Sequence, residues 1–239
     1  MVSVCMRAAS AARPVVSTRV VARAPDILFQ DERFVVLNKP AGLAVHAGPR
    51  GGVSVEDIFP ALSRRRAGPW LAHRLDADTS GCLVVALRRA SLVAAQAEFA
   101  AGRARKVYWA VVRGHPDQAA GVIQAPLLKV GPPHAWRMRV DAAGLAAVTQ
   151  WRVLAQLANS SLLELRPRTG RTHQVRAHCA ALGHPILGDP VYGDREGRLM
   201  LLARSIRLDL VPPLTATAPV PDHMRGLLPQ AFQEAPCPA

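Results

Sequence analysis

Aromatic residues make up only 5% of this 239-residue chain, acidic residues number 17, and cysteine occurs four times. Each shortage excludes something. Cys5, Cys82, Cys179 and Cys237 stand far apart with no CxxC pair, so neither a zinc knuckle nor a dithiol redox motif is encoded. Cys82 and Cys179 lie among apolar residues and read as small core side chains, which suits a reducing, cytosol-like compartment. No apolar run reaches the ~18 residues of a membrane helix, and no membrane partner is expected. The glycines form neither a P-loop nor a dinucleotide fingerprint, which argues against nucleotide cofactors. His173, His178 and His184 are close in sequence but miss the i, i+4 spacing of a helical zinc pair, and no carboxylate stands at a matching offset. A metal-dependent nuclease would need clustered carboxylates, and Asp76 and Asp78 are too few. The expectation is therefore no metal and no cofactor.

What the chain has in excess is positive charge. Thirty Lys and Arg residues, nearly all of them arginine, leave a formal net charge of +13. The planar guanidinium fork suits phosphate, so nucleic acid outranks an acidic protein as partner. A GC-rich coding bias would produce the same excess, so charge alone is weak support. Half the residues are hydrophobic, enough for a substantial core in one large domain or two small ones. Residues 1–25 carry Arg7, Arg13, Arg19 and Arg23 without an acidic residue. That composition resembles an organelle transit peptide and equally a disordered bacterial extension; the second reading is adopted, with a bacterial cytoplasmic location.

Strands are expected over 27–29, 34–37, 82–87, 107–112, 120–123, 136–140, 147–154, 162–165 and 199–208, with a further extended piece at 43–46. Helices are expected over 90–101, with Leu92, Ala95, Ala97 and Phe99 inward, and over 171–182. Arg64, Arg65 and Arg66 form a basic loop that suits either a solvated surface or RNA contact. Strands outnumber helices without regular alternation, so the fold class is α+β with a mixed, largely antiparallel sheet flanked by helices and loops. The expected organisation is one catalytic domain over 26–211 and a half-ordered Pro-rich tail over 212–239.

Two segments could carry chemistry. The run His73-Arg74-Leu75-Asp76-Ala77-Asp78-Thr79-Ser80-Gly81 leads into an apolar strand and places Asp76 in a polar turn at its mouth. A carboxylate there is costly unless a cation pairs with it, so it is either a salt-bridge partner or a reactive group. A Ser80–His73–Asp76 hydrolase fails, because the G-x-S-x-G elbow is missing and the three crowd one turn. The second segment spans 166–178. On a helix, Val175, Cys179 and Leu182 fall on one apolar face, while Arg171, Gln174 and His178 share a polar one. Basic residues beside exposed helix-start N–H groups make a plausible anion site, and Arg176 is best placed to reach an internal carboxylate. From spacing alone, an amphipathic helix with a basic outer face is the simpler reading.

Together these segments resemble the RluA-type pseudouridine synthases, which isomerise uridine to pseudouridine in structured RNA. Four stretches match that family's motifs in order: Leu37-Asn38-Lys39-Pro40-Ala41-Gly42, the run His73 to Gly81, Lys106-Val107-Tyr108, and Gly170-Arg171-Thr172-His173-Gln174-Val175-Arg176; Gly188-Asp189-Pro190-Val191-Tyr192-Gly193 adds a fifth. The likeness covers 27–210. It implies the pseudouridine synthase fold, a monomer, and a cofactor-independent enzyme acting on ribosomal or transfer RNA; many relatives also carry an S4-type RNA-binding module, for which the residues before the first expected strand are too few, so none is expected here. It further implies that Asp76 attacks the target uridine, that Tyr108 stacks on the flipped base with its hydroxyl near the carbon-5 proton, and that Arg176 pairs with Asp76. Arg74 would fill the space the uridine vacates, and His73, Arg171, Thr172, His173, Gln174 and Leu201 would contact RNA. One departure is Leu201-Leu202-Ala203, where the family often has Leu-His-Ala. The rival reading is a catalytically inactive RNA-binding or RNA-chaperone protein on the same fold; the intact set Asp76, Tyr108 and Arg176 argues for the enzyme.

Overall fold

The computed structural model describes residues 24–48, 51–63, 67–132 and 135–233; the basic loop at 64–66 and nearly all of the N-terminal extension lie outside them. In chain order the elements are β1 (Ile27–Gln30), β2 (Phe34–Lys39), a 3-10 turn at Val55–Ile58 running into α1 (Phe59–Leu62), β3 (Trp70–Leu71), β4 (Ser80–Ala86), α2 (Arg89–Ala100), β5 (Arg105–Arg113), β6 (Ala120–Gln124), β7 (Leu127–Val130), β8 (Arg137–Val140), β9 (Val148–Gln156), β10 (Ser160–Pro167), α3 (Gln174–Ala181), β11 (Leu201–Leu208), β12 (Leu214–Thr217), α4 (Asp222–Arg225) and α5 (Gln230–Gln233). Among the described residues ten strands form one sheet in the order β1-β2-β4-β11-β5-β10-β9-β6, with β12 beside β11 and β3 beside β4. Only the β4–β11 pair is parallel. The hairpin β7–β8 stands apart as a second small sheet. This is the mixed, mostly antiparallel α+β architecture that the segment pattern implies.

The central strands read as unbroken apolar runs because both of their faces are covered. Phe34, Val36, Cys82 and Val84 point to one side, where they meet Leu92 and Ala95 of α2. Their neighbours Val35, Leu37, Leu83 and Val85 point to the other, with Leu75 and Ala203. On β5 the same alternation sends Val107, Trp109 and Val111 to the α2 side. Ala110 and Val112, with Tyr108 beside them, go to the side where α3 lays Val175 and Cys179. The α3 side of the central strands β4, β11 and β5 thus carries Tyr108, Val175 and Cys179.

Several expectations change here. Ala97 is exposed and Glu98 takes the inward position on α2, since burial follows 92, 95 and 98. The chain beyond Pro212 builds into the body: β12 pairs with β11, and Leu214, Ala216, Met224 and Leu228 belong to the α2-side core. Phe232 then sets its ring edge-on to Trp109, centroids 5.8 Å apart. Helix α3 begins three residues later than spacing indicates, because His173 adopts a left-handed conformation (φ 50°) that a continuous helix cannot include. No helix among the described residues is long and apolar enough to cross a membrane.

Candidate active site

Asp76 sits in the turn that feeds β4, and three contacts fix that turn. Thr79 N–H bonds back to the Asp76 carbonyl at 3.2 Å. Gly42 N–H reaches the Ala77 carbonyl at 2.9 Å. Lys39, at the end of β2 and wholly buried, donates its ammonium to the carbonyls of Pro40, Leu43 and Ala77 at 2.9, 2.8 and 2.7 Å. All three ammonium protons are thus used, one of them on the residue next to Asp76. Burial lowers the Lys39 ammonium to about 8, with the negative charges of Asp78 and Asp76 opposing. Behind the turn, Val84 N–H donates to His73 Nε2 at 3.0 Å. Burial brings that imidazole down to about 4, with Lys106 adding to the effect, so His73 is a neutral acceptor at pH 7. It braces Arg74 and Asp76 against β4, with part of its ring on the cleft wall.

Facing Asp76 is α3. Arg176 is 3% exposed and divides its guanidinium between two aspartates. Nε and Nη2 donate to Asp189 Oδ2 and Oδ1, both at 2.8 Å, while Nη1 donates to Asp76 Oδ2 at 3.0 Å. Asp76 keeps 18% of its side-chain surface open to the cleft. Burial would raise the Asp189 carboxyl, yet Arg176 and the N–H groups of Val191 and Tyr192 hold it below its ordinary value. Asp189 was absent from the candidate residues although it lies in the matched stretch 188–193. His173 Nε2 lies 3.7 Å from Asp76 Oδ2, its Nδ1 is 3.2 Å from the Tyr192 hydroxyl, and its ring stacks on Trp136 at 4.8 Å.

Asp76, Arg176 and His173 line a cleft of about 520 Å³ with Tyr108, Leu201, Thr79, Lys106 and the loop 167–172. Every one of Asp76, Tyr108, Arg176, Arg74, His73, Arg171, Thr172, His173, Gln174 and Leu201 is on its wall. Their environments differ. Burial pushes the Tyr108 hydroxyl well above its ordinary range, with the charges of Asp76 and Cys82 adding to it. Arg74 is exposed and makes no ion pair with the described residues. Gln174 is buried, and its amide is fully engaged: Nε2 donates to Val148 O and Thr149 Oγ1, and Oε1 accepts from Thr169 Oγ1 and Arg171 N–H. It shapes the loop 169–171 and has no polar atom left for RNA. Arg171 N–H is taken by Gln174 and its Nε donates to Ala146 O at 3.0 Å, while the side chain stays exposed on the cleft rim. His178, placed on a polar face by spacing, is wholly buried between Thr149 and Ala125. The third histidine of that group, His184, turns to the Arg113 carbonyl, so the three diverge. Leu202, the departure from the family pattern, points into the α2-side core, so the cleft wall at β11 is Leu201.

Sequence reasoning also missed Lys106, whose Nζ donates to Thr169 O at 3.0 Å and which burial lowers to about 8. A signal was present. Lys39, Lys106 and Lys129 are the only lysines in an arginine-rich chain, and two of them stand in the matched stretches.

Comparison with known proteins bears on the family and the fold. The family model described as RNA pseudouridylate synthase matches residues 33–181. An uncharacterized RNA pseudouridine synthase of Zymomonas mobilis is 41% identical over 84% of this chain and 96% of its own length. The ribosomal large subunit pseudouridine synthase C of Vibrio cholerae is 40% identical over 71% of this chain, which spans 53% of that longer protein. Among solved structures, human RNA pseudouridylate synthase domain containing 4 superposes with a TM-score of 0.72 at 30% identity, covering 83% of this chain and 89% of that one. The chain belongs to the RNA pseudouridylate synthase family, in its RluA-type branch.

Proposed function

We propose that this protein isomerises uridine to pseudouridine in large-subunit ribosomal RNA without a cofactor, with Asp76 as the reactive carboxylate. Membership of the family supports uridine isomerisation in RNA; the names of the synthase C and D relatives favour ribosomal over transfer RNA. The observation that carries the residue assignment is the 3.0 Å contact from Arg176 Nη1 to Asp76 Oδ2 on the wall of a nucleotide-sized cleft. The guanidinium orients the carboxylate on the cleft wall through a charge-assisted hydrogen bond. The isomerisation breaks the bond from ribose carbon 1′ to base nitrogen 1, turns the base and joins carbon 1′ to carbon 5; carbon 5 loses its proton and nitrogen 1 gains one. Atoms and electrons are conserved overall.

Tyr108 supplies a ring on which the base stacks, worth roughly 1–3 kcal/mol against the unstacking of the extruded nucleotide. With its hydroxyl pushed upward by burial, it serves at neutral pH as a phenol that donates rather than as a phenolate base. The exposed Arg74 is free to take the place of the departed base in the helix or loop. The test is Asp76→Asn on unmodified ribosomal RNA transcripts, with pseudouridine quantified by mass spectrometry and RNA affinity measured in parallel. Loss of product at nearly unchanged affinity is expected, since the change is isosteric. Product formation by the variant would refute the assignment, and a wild-type protein that binds RNA yet makes no pseudouridine would favour the inactive RNA-binding reading.

A further inference from the structure

Arg176 has more hydrogen-bonding capacity than Asp76 receives. A guanidinium meets a carboxylate most tightly through its two-pronged edge, one N–H to each oxygen. Here that edge, Nε with Nη2, is spent on Asp189. Asp76 is touched by Nη1 alone, and only at Oδ2; Oδ1 accepts no hydrogen bond from the described residues. Asp189 is itself immobile. It is wholly buried, and its Oδ1 also accepts the N–H groups of Val191 and Tyr192 at 2.9 and 3.0 Å. The Tyr192 ring lies across the guanidinium, 5.4 Å from its carbon to the ring centroid, and holds it from another side. One positive charge thus stands between two negative ones, and the better geometry goes to the carboxylate that cannot react.

We propose that Asp189 is a positioning residue for the isomerisation: by occupying the two-pronged edge of Arg176, it confines that arginine to a single contact with Asp76 and keeps Asp76 Oδ1 free to engage the nucleoside. Without it, the guanidinium could turn and fork onto Asp76, tying up both oxygens and stabilising the resting carboxylate more than the transition state, which slows the reaction. The division of labour also settles why a buried arginine needs two acids: one fixes its plane, the other uses its end.

This inference rests on the proposed activity, so wild-type protein is first assayed for pseudouridine on a ribosomal RNA transcript; absence of product there would fail that proposal and not this one. Asp189→Asn is then measured for kcat, KM, RNA affinity and melting temperature. The amide keeps the size but can satisfy only one prong. A kcat lowered roughly 10–100-fold, with KM and RNA affinity within about twofold of wild type, is expected. Arg176→Lys retains the charge and leaves Asp189 with its two backbone bonds, but has no fork to divide. It should show the same kcat-selective loss, and the double variant should cost little more than the worse single one, because both act through one contact. Wild-type kcat in Asp189→Asn, or losses of affinity and stability that track the loss of kcat, would overturn the proposal. If Asp189→Asn does not fold, Arg176→Lys decides: wild-type kcat in that variant overturns it, and a kcat-selective loss upholds it.

Discussion

At the scale of single residues, the Asp76 turn is held by groups whose charge has been subordinated to hydrogen bonding. His73 shows this best. Its Nε2 accepts the Val84 N–H, and its folded value near 4 lies below the ordinary 6.5. The unfolded chain therefore takes up a proton more readily than the folded one, so the stability His73 contributes is present above pH 6.5 and is lost as pH falls toward 4. Between pH 7 and pH 5 the loss should be on the order of 2 kcal/mol. Burial also lowers His173, His178 and His223, so the wild-type decline is a sum. His73→Gln keeps an acceptor but has no proton to gain. Melting curves at both pH values should show a smaller decline for that variant, and an equal decline would mean His73 does not titrate with unfolding. Asp76 and Arg176 were legible from long motif stretches and Tyr108 from a three-residue match, and all three come to line one cleft. Asp189 and the bracing role of His73 were not, since each depends on a partner across the fold, 13 residues away for Arg176 and 11 for Val84. Nothing in local spacing encodes such a contact.

Among the elements, the junction of β4 with β11 ties the Asp76 turn to the cleft wall. Gly81 has φ +107°, and a Cβ built there would lie 2.3 Å from the Ala203 carbonyl oxygen. That obstacle is backbone and cannot swing aside, while the positive φ disfavours a side chain anyway. Gly81 pairs with Ala203, and Leu201 of the cleft wall is two residues from it on the same face. Gly81→Ala should therefore cost about 2–4 kcal/mol of stability from strain and overpacking. It should also lower kcat in whatever fraction folds, because β11 must shift away from the turn. A denaturant titration with an activity assay checks both, and a variant of wild-type stability would show that the two strands can separate freely. The strand order itself was not readable: alternation located most strands, but only long-range pairing sets β11 between β4 and β5. The strands β7 and β12 escaped notice because each is four residues long and flanked by prolines that suggest loop. Gln174 and His178 looked like a solvent face because their covering, Thr149 on β9 and Ala125 beyond β6, lies far away in sequence.

For the molecule as a whole, two groups of arginines stand out among the described residues. Some arginines are committed to internal carboxylates, as Arg152 and Arg166 are to the buried Glu164. Others ring the cleft: Arg74, Arg168 and Arg171 are exposed and Lys106 is half-buried, all lining the same opening. The second group is the one placed at the cleft to displace counterions from RNA. If those four meet phosphates, the logarithm of affinity should fall with the logarithm of salt concentration at a slope of about −3. A slope governed by the total charge of +13 would be several times steeper. Replacing Arg171 by alanine removes one rim cation and its bond to Ala146 O, leaving the Asp76–Arg176 pair untouched. The slope should become shallower by about 1, and binding should weaken to a similar extent on RNAs of different sequence, because phosphate contacts carry no sequence information. Binding titrations across a salt series, on two unrelated stem-loops, measure both quantities. An unchanged slope would remove Arg171 from the RNA interface; an effect confined to one of the stem-loops would make it a reader of bases rather than of backbone.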